Sequence, residues 1–286
     1  MLFKLRFAYI YIVYKHFKKT FYLEEYIKMT DSSSINLKQS TTVVTEGVYR
    51  IAAIVPAFNE EEAITSVVND INQLAAEKKL LIDVIVVNDC SKDSTSEVIS
   101  NINCIAINLP INLGIGGAVQ TGFKYALENG YDFAIQIDGD GQHPASEIPK
   151  IINAAVNGNL DVVIGSRFIT KEGFQSSAFR RIGISYFKWL NHLLVGTVIF
   201  DSTSGFRLIN RKVLTIVSEY YPDEYPEPEA IIVYSLNNFK IGEVSVSMKD
   251  RQGGVSSIGT FASVYYMLKV TLAIIFTFIR MKFKRI

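Results

Sequence analysis

The sequence has few cysteines, few histidines and no long uninterrupted apolar run. Its two cysteines, Cys90 and Cys104, cannot form a disulfide framework and fit a protein of the reducing cytoplasm. Its three histidines are scattered and show no zinc-binding spacing. No apolar run reaches the ~20 residues that a helix needs to span a bilayer. These absences exclude a disulfide-rich secreted domain and a histidine- or cysteine-based zinc domain, and they disfavour a membrane-spanning chain.

What is present is an apolar chain of nearly neutral charge. The 286 residues are 49% hydrophobic, carry a formal net charge of +1 and have a mean hydropathy of +0.20. This length suits one large domain or two small ones, with ample material for a core. Low net charge with many Ile, Val, Phe and Tyr excludes a disordered acidic or basic chain. We expect no nucleic-acid partner.

The small net charge conceals basic ends around an acidic middle. Residues 1–20 contain five Lys or Arg and no acid, and residues 280–286 contain four, so the stretch between them carries −8. An apolar stretch lies beside each basic cluster, at 7–14 and 270–279. Apolar and aromatic residues flanked by Lys and Arg are typical of segments in an anionic membrane interface.

The chain divides into three parts. Residues 1–46 form an N-terminal extension and a Ser/Thr-rich linker, 47–257 the main domain, and 258–286 a C-terminal helix with a basic tail. The first 28 residues are either a genuine extension or sequence upstream of a start at Met29. A cleaved signal peptide is disfavoured because Lys15 to Lys19 follow the apolar run where small residues should mark cleavage.

The C-terminal stretch 258–279 has apolar residues at helical spacing and then becomes apolar all round. These residues are Phe261, Val264, Tyr265, Leu268, Leu272, Ile275 and Ile279. With Lys269 inside it, the stretch predicts a helix that rests on a membrane rather than spanning it. A core helix is the alternative. A second interfacial face is predicted on the helical stretch 179–195, with Phe187, Trp189, Leu190, Leu193 and Leu194, and a core helix explains these residues as well.

The main domain alternates between short apolar runs and helical patterns. Five buried strands are predicted, at 51–55, 81–87, 104–107, 133–137 and 162–165. A helix follows the first strand, with Asn59 and Glu62 as a capping box and an apolar face of Ile64, Val67, Val68, Ile71, Leu74 and Ala75. Ser94 and Glu97 open the next helix. This alternation predicts an α/β fold with a mostly parallel sheet covered on both faces.

Acidic and amide residues follow three of these strands, where a parallel sheet binds its ligands. Asp138 and Asp140 flank Gly139, so both carboxylates can face one small volume, with Gln142 and His143 nearby. Such hard oxygen ligands suit Mg²⁺ or Mn²⁺, which would hold a diphosphate. The alternative for an isolated Asp-Gly-Asp segment is a solvated turn.

A glycine-rich segment, 113–118, precedes another helix. Its backbone N–H groups, including that of Gly116, could approach a phosphate. A dinucleotide site is disfavoured, because the third glycine of Gly-x-Gly-x-x-Gly is missing and the expected acid is replaced by the Asp-Gly-Asp segment.

Seven ordered motifs resemble family 2 glycosyltransferases of the GT-A fold. They look most like the polyprenyl-phosphate branch, which includes the dolichol-phosphate mannose synthases. The motifs are VPAFNEEEAI (55–64), VNDCSKDST (87–95), NLGIGGAVQTGFKYA (112–126), IQIDGDGQHP (135–144), GSRF (165–168), DSTSGFRL (201–208) and RQGGVSS (251–257). Two positions depart from the family pattern. Asn88 stands where a first Asp is usual, and Gly141 replaces a common Leu.

The resemblance implies roles for the donor side. Pro56, Phe58, Glu60 and Asp89 would surround the nucleoside. Asp138 would help to hold the sugar nucleotide, while Asp140, together with Gln142, would bind the divalent cation. A cation there would offset the charge that develops on a departing nucleoside diphosphate.

The resemblance also implies roles for the acceptor side. Arg167 would meet a donor or acceptor phosphate, and Asp201 and Arg207 would shape the acceptor site. Arg251 and Ser256 would contact the phosphate of a lipid acceptor. Glu227 and Glu229 occupy a position where the wider family places acids near the acceptor, and a rigid acidic loop explains them equally well.

The expected function is therefore inverting transfer of one sugar from a nucleotide donor to a polyprenyl phosphate, with undecaprenyl phosphate and a uridine donor favoured. We expect the protein on the cytoplasmic face of the cell membrane, as a possible homo-oligomer or with a membrane-protein partner. The alternatives are a family 2 transferase acting on a polysaccharide or a lipid-diphosphate-linked glycan, a nucleotidyltransferase, and a membrane-docked adaptor that retains the fold. The segment after the first strand lacks the Gly-rich, Lys/Arg-bearing loop of nucleotidyltransferases, and intact Asp138, Asp140 and Arg167 disfavour the adaptor.

Overall fold

The chain folds around one mixed sheet, as seen in a computed structural model that describes residues 49–169, 178–249 and 260–283. Within these ranges the sheet has seven strands. They are β1 (Arg50–Ala57), β2 (Leu81–Asn88), β3 (Ile105–Asn108), β4 (Phe133–Gln136), β5 (Val162–Ser166), β6 (Arg207–Asn210) and β7 (Ile241–Ser245).

The strands lie in the order β3-β2-β1-β4-β6-β5-β7. β6 runs antiparallel to its neighbours β4 and β5, while every other pairing in the sheet is parallel. The register pairs Ala57 with Asn88 and Ile54 with Gln136, so β1, β2 and β4 end along one edge. The segments that follow these strands therefore come together beyond that edge.

Eight helices accompany the strands in the described residues. They are α1 (Ile64–Lys78), α2 (Thr95–Ser100), α3 (Gly114–Glu128), α4 (Ile148–Gly158), α5 (Ala178–Val195), α6 (Arg211–Val217), α7 (Pro226–Leu236) and α8 (Thr260–Phe283). A short 3-10 turn, Ala145–Glu147, precedes α4.

Both faces of the sheet are buried. Along β1, Ile51, Ala53 and Val55 pack on the side of α1 and α4, whereas Ala52 and Ile54 pack on the side of α3, α6 and α7. Burial on both faces explains why the central strands read as continuous apolar runs rather than alternating ones. A third, smaller core joins α5, α7 and α8 through Phe187, Leu190, Ile232, Val270 and Ile274.

The predicted strands and the apolar face of the first helix are confirmed. Each of the five predicted strands agrees with an observed one to within two residues at either end, and all six residues predicted for the face of α1 are buried. The predictions for two helix caps are wrong in detail. Asn59 adopts a positive φ of 57°, and its side-chain oxygen accepts from the Lys92 N–H at 2.8 Å, so α1 begins at Ile64 without the expected capping box. Ser94 does precede α2, but Asp93 supplies the carboxylate that accepts from the Thr95 N–H at 3.0 Å.

Two strands, β6 and β7, were not predicted from the sequence. β6 has four residues and begins with Arg207, a charged residue that is nonetheless 1% exposed. All five residues of β7 are partly exposed, and their sequence IGEVS has neither a continuous apolar run nor a strong alternation. Tertiary pairing, rather than local pattern, therefore defines both strands.

The outer side of α8 exposes large apolar side chains. Tyr265, Leu268, Leu272, Phe276, Ile279 and Phe283 all belong to this outer stripe, whereas Val270 and Ile274 on the opposite side are fully buried. In α5, Trp189 and Leu193 are exposed, but Phe187 and Leu190 are buried in the third core and Leu194 packs against it, so the expected interfacial face loses these three members. Among the described residues, no helix combines the length and hydropathy needed to cross a membrane.

Candidate active site

A cleft of about 460 Å³ lies beyond the carboxyl ends of β1, β2 and β4. It collects residues that are far apart in the sequence. Seven residues with predicted roles line it: Pro56, Phe58, Glu60, Asp89, Asp138, Asp140 and Glu227. The sheet register thus brings the predicted nucleoside, cation and acceptor residues to one place.

Asp89, directly after β2, fixes the start of helix α3 at the cleft. Its buried carboxylate accepts from the backbone N–H groups of Leu113 at 2.6 Å and Gly114 at 2.9 Å. Gly114 has a φ of +77°, a conformation that a glycine adopts without strain. Gly114 and Ile115 line the cleft, so the positive end of the α3 dipole faces it.

The neighbouring Asn88 is committed to structural hydrogen bonds. Its amide nitrogen donates to Asn108 Oδ1 at 2.8 Å, while its oxygen accepts from the backbone N–H of Ser91 at 3.1 Å. An amide can donate and accept at once, which an ionised carboxylate cannot. This double role gives a physical reason for Asn at the position where the family usually has Asp.

Gly116 lies under a neighbouring loop rather than in the lining of the cleft. A Cβ added to it would overlap the backbone oxygen of Pro222 and backbone atoms of Asp223. The structure therefore gives this glycine a packing role, and its predicted contact with a phosphate stays a prediction.

The Asp-Gly-Asp segment is a tight turn packed beneath β1. A Cβ on Gly139 would stand 3.0 Å from the Pro56 oxygen, which explains the glycine between the two acids. The Asp140 carboxylate accepts from the Gln142 backbone N–H at 3.0 Å. Asp138 and Asp140 both line the cleft, and within the described ranges no three Asp, Glu, His or Cys side chains converge on one point. Mg²⁺ is commonly held by one or two carboxylates plus substrate phosphates, so this pair fits a cation completed by a diphosphate.

His143 supports this turn as a neutral side chain. It is buried, stacks on Phe206 with ring centres 4.8 Å apart, and accepts from the Asp138 N–H through Nδ1 at 3.0 Å. Burial lowers the pKa of His143 to about 4, so the ring is uncharged near neutral pH. The histidine therefore holds the backbone of Asp138 in place.

Arg167, which is partly buried, forms an ion pair with Asp201. The Arg167 guanidinium donates through Nε at 2.7 Å and Nη2 at 2.8 Å to the two oxygens of Asp201, and the Arg167 backbone N–H donates to the same carboxylate at 3.1 Å. Asp201 is completely buried. Its carboxylate thus orients the arginine that was predicted to meet a phosphate.

Arg207 begins β6 and pairs with Gln136 at the end of β4. It is 1% exposed, and its guanidinium donates to the backbone oxygens of Ser204 at 2.7 Å and Ser202 at 2.8 Å. In this conformation the side chain supports the 202–204 turn from below.

The two predicted glutamates of α7 have different surroundings. Glu227 lines the cleft, and burial raises its pKa although the positive charge of Arg207 opposes that shift. Glu229 faces the other way and accepts from the Thr277 hydroxyl of α8 at 2.7 Å, with both residues buried. The structure therefore separates Glu229 from the other candidate residues. Arg251 and Ser256 lie outside the described residues.

Two residues of this region were missed in the sequence. Gly205 allows close approach, because a Cβ there would stand 2.9 Å from both Asp138 Oδ1 and Gln136 Nε2. Gly205 lies in the motif 201–208, and that position could have identified it from the sequence. Glu243, in β7, accepts from the backbone N–H groups of Phe200 at 2.7 Å and Asp201 at 2.9 Å, and no motif marked it.

Comparison with known families agrees with this geometry. The sequence profile of glycosyl transferase family 2 matches residues 52–216, more than half of the chain. The chain belongs to glycosyltransferase family 2. The resemblance seen in the motifs is thereby confirmed, and the sheet, cleft and ion pair described above are those of a family 2 glycosyltransferase.

Relatives of this glycosyltransferase carry names of lipid-phosphate sugar transferases. A UDP-N-acetylglucosamine–dolichyl-phosphate N-acetylglucosaminyltransferase of Methanococcus voltae is 32% identical over 68% of this chain and 84% of its own length. A polyprenol monophosphomannose synthase of Mycolicibacterium smegmatis is 27% identical over 73% of this chain and 81% of its own. An undecaprenyl-phosphate mannosyltransferase of Micrococcus luteus is 28% identical over 59% of this chain and 69% of its own.

Solved structures confirm the fold class predicted from the sequence. Glucosyl-3-phosphoglycerate synthase from Mycobacterium tuberculosis superposes with a TM-score of 0.61 at 18% identity, covering 82% of this chain and 81% of that one. The same synthase has been crystallised with Mn²⁺ and uridine-diphosphate-glucose, and that structure superposes with a TM-score of 0.60 at 16% identity over 82% of this chain and 80% of that one.

Proposed function

We propose that this glycosyltransferase transfers a single sugar, with inversion, from a nucleotide-sugar donor to a polyprenyl phosphate. The observation that carries the proposal is the shared cleft, in which Asp89 and the start of α3 face the paired carboxylates of Asp138 and Asp140. The names of the three relatives point to the same acceptor class. Undecaprenyl phosphate is the acceptor we favour, and a uridine nucleotide the donor.

On the donor side, Pro56, Phe58, Glu60 and Asp89 surround the nucleoside. Asp138 and Asp140, with Gln142, are the residues that would hold Mg²⁺ or Mn²⁺, and the cation would neutralise the charge of the departing diphosphate. His143 keeps Asp138 in position through its backbone contact. The N-terminal end of α3, where Gly114 and Ile115 line the cleft, adds favourable electrostatic potential for the diphosphate.

On the acceptor side, the nucleophile is an oxygen of the lipid phosphate, which is already ionised near neutral pH. That oxygen attacks the anomeric carbon, the bond from this carbon to the donor diphosphate breaks, and the electron pair leaves with the nucleoside diphosphate. No strong general base is required, since the attacking oxygen carries no proton. Arg167, held by Asp201, contacts phosphate, and we retain Arg251 and Ser256 as further phosphate contacts. Arg207 supports the acceptor side from beneath, and Glu227 lies beside it.

The lipid acceptor places the enzyme at a membrane surface. The outer stripe of α8 exposes six large apolar residues, and α8 contains Lys269, Arg280 and Lys282 but no acidic residue. Such a helix suits the interface of an anionic membrane. Cys90 and Cys104 are both unpaired, which fits the cytoplasmic face. A homo-oligomer or a membrane-protein partner remains part of this proposal.

A donor panel tests the proposal. The full chain is incubated with undecaprenyl phosphate in detergent and, in turn, with labelled UDP- and GDP-linked hexoses and N-acetylhexosamines, with Mn²⁺ or with EDTA. We expect one donor to yield an organic-extractable product that bears one sugar, and EDTA to abolish it. If no donor labels the lipid while the nucleotides still bind, the acceptor assignment is wrong.

A further inference from the structure

Glu243 binds two consecutive backbone N–H groups with its two carboxylate oxygens. Oε2 accepts from Phe200 at 2.7 Å, and Oε1 accepts from Asp201 at 2.9 Å. The side chain projects from β7, whose pairing with β5 aligns Glu243 with Ile164, so its origin is fixed by the sheet. A carboxylate that closes both bonds at once locks the orientation of the two peptide units on either side of Phe200.

Asp201, whose backbone N–H is bound by Glu243, is the ion-pair partner of Arg167. Asp201 takes the Nε and Nη2 atoms of Arg167 together with its backbone N–H, which leaves no freedom to rotate the guanidinium plane. The guanidinium is planar, so the contacts of Nε and Nη2 direct its Nη1 side away from Asp201. Arg167 directly follows β5, and Glu243 lies on the adjacent strand. The contacts therefore run from Glu243 through the 200–201 backbone and Asp201 to Arg167.

Lys188 shares this environment. Its Nζ lies 3.7 Å from the centre of the Phe200 ring. Burial lowers the pKa of Lys188, and the negative charge of Glu243 opposes that shift. Glu243 thus has a cation nearby, but its two oxygens are directed to the backbone.

We propose that Glu243 is a positioning residue that fixes Asp201 and, through it, the orientation in which Arg167 meets the acceptor phosphate. This inference rests on the proposed function, since it assigns the phosphate of that acceptor to Arg167. A small misplacement of a positioning group can cost a large part of the rate, because binding energy depends on orientation.

The chemistry of the contact makes Glu243→Gln the informative variant. A glutamine side chain offers one acceptor oxygen and one N–H₂ donor. It can accept from only one of the two backbone N–H groups and places its own donor against the other. We expect the KM for polyprenyl phosphate to rise roughly tenfold, because a displaced Arg167 would lose a charge-assisted hydrogen bond to the acceptor phosphate. The Kd for UDP with Mn²⁺ stays unchanged, because the nucleotide contacts lie at β1, β2 and β4.

Asp161→Asn is the matched control. Asp161 is also a buried carboxylate that accepts from a backbone N–H, that of Lys240 at 2.9 Å, but it precedes β5, at the opposite end of that strand from Arg167. Asp161→Asn also weakens a hydrogen bond between a buried carboxylate and the backbone and so lowers stability. We expect it to leave the acceptor KM unchanged. If both variants raise the acceptor KM, the effect comes from a general loosening of the sheet, and the inference is wrong.

A double-mutant cycle with Arg167→Ala tests the path of the effect. If Glu243 acts through Arg167, Glu243→Gln changes kcat/KM less than about twofold in the Arg167→Ala background. Independent, multiplying effects contradict the inference, and so does a Glu243→Gln enzyme with the wild-type acceptor KM. If Glu243→Gln does not fold, Glu243→Asp replaces it, since it keeps both acceptor oxygens on a shorter side chain and should raise the same KM. Wild-type enzyme that makes no lipid-linked sugar overturns the proposed function instead, which separates the two failures.

Discussion

Asn88 and Asp89, adjacent at the end of β2, show what single residues determine in this site. The Asn88 side chain hydrogen-bonds to Asn108 and Ser91, whereas the Asp89 carboxylate accepts from backbone N–H groups at the start of α3, at the rim of the cleft. The motif around them located both residues correctly from the sequence. The contact of Asn88 with Asn108 and that of Asp89 with Gly114 join residues 20 or more positions apart, so these contacts cannot be read locally.

Asp140 is the residue on which the cation assignment depends. We expect Asp140→Asn to weaken Mn²⁺-dependent binding of UDP by at least about tenfold, or ~1.4 kcal/mol, since an amide is a weaker ligand for a hard cation than a carboxylate. Titration calorimetry with UDP, with and without Mn²⁺, measures the change.

Asp70→Asn is the control for this experiment, because Asp70 is an exposed acid on α1 and its replacement removes the same charge. Unchanged Mn²⁺-dependent binding by Asp140→Asn would remove Asp140 from the cation site.

At the scale of elements, the sequence predicted five of the seven strands in the described residues and missed β6 and β7. β1, β2 and β4 are buried on both faces and therefore leave apolar runs, while the buried positions of α1 recur at helical spacing. β6 and β7 are short, and β6 begins with a buried arginine whose partners are backbone oxygens of its own loop. Glu243 was missed for the same reason, because the local sequence IGEVS does not predict the strand that carries it.

Asp161 lies where β5, β6 and β7 meet, and its carboxylate makes the stability of the fold depend on pH. Burial alone would raise its pKa, but hydrogen bonds from the Lys240 backbone and the Asn210 side chain outweigh burial and lower the pKa below its usual 3.8. The carboxylate therefore stabilises the fold fully above the unfolded-state pKa and loses that contribution as pH falls through the lower folded-state pKa.

Urea unfolding of wild type and Asp161→Asn between pH 3 and 7 measures this effect. We expect the difference in free energy of unfolding to be constant near neutral pH and to shrink below about pH 4. If the difference in free energy of unfolding between the two proteins is the same at pH 3 and pH 7, ionisation of Asp161 contributes nothing to stability.

At the scale of the whole molecule, the cleft and the outer stripe of α8 belong to connected elements. α7 contributes Glu227 to the cleft and packs against α8, where Glu229 bonds to Thr277. Of the residues whose spacing predicted an interfacial face on α8, Tyr265, Leu268, Leu272 and Ile279 are exposed and Ile275 is half-buried, and the membrane contact stays a prediction. It could not divide the apolar residues of α5 between core and surface, because Phe187, Trp189 and Leu190 are neighbours in sequence and only packing against α7 and α8 separates them.

We expect the outer stripe of α8 to bind anionic vesicles. The double variant Leu272→Glu/Phe276→Glu should lower the partition coefficient on phosphatidylglycerol-containing vesicles at least tenfold, because both side chains are more than half exposed and would insert into the interface. Vesicle flotation measures the bound fraction, and added salt should weaken binding through the basic residues of α8.

Ile111→Glu is the matched control for the vesicle experiment, since Ile111 is 62% exposed but lies on the loop after β3, outside α8. If the double variant and this control float equally well, α8 is not the membrane contact.

The acceptor is the central element of the account, and the most direct measurement is a comparison of acceptors at constant donor. Purified enzyme, Mn²⁺ and the active labelled donor are incubated with undecaprenyl phosphate, with an undecaprenyl-diphosphate-linked sugar, or without lipid, and nucleoside diphosphate and lipid-linked sugar are both quantified. We predict that only the monophosphate accepts sugar, that one nucleoside diphosphate is released for each sugar transferred, and that NMR of the product shows an inverted anomeric centre. Transfer to the diphosphate-linked sugar, or a product with the donor's anomeric configuration, would contradict it.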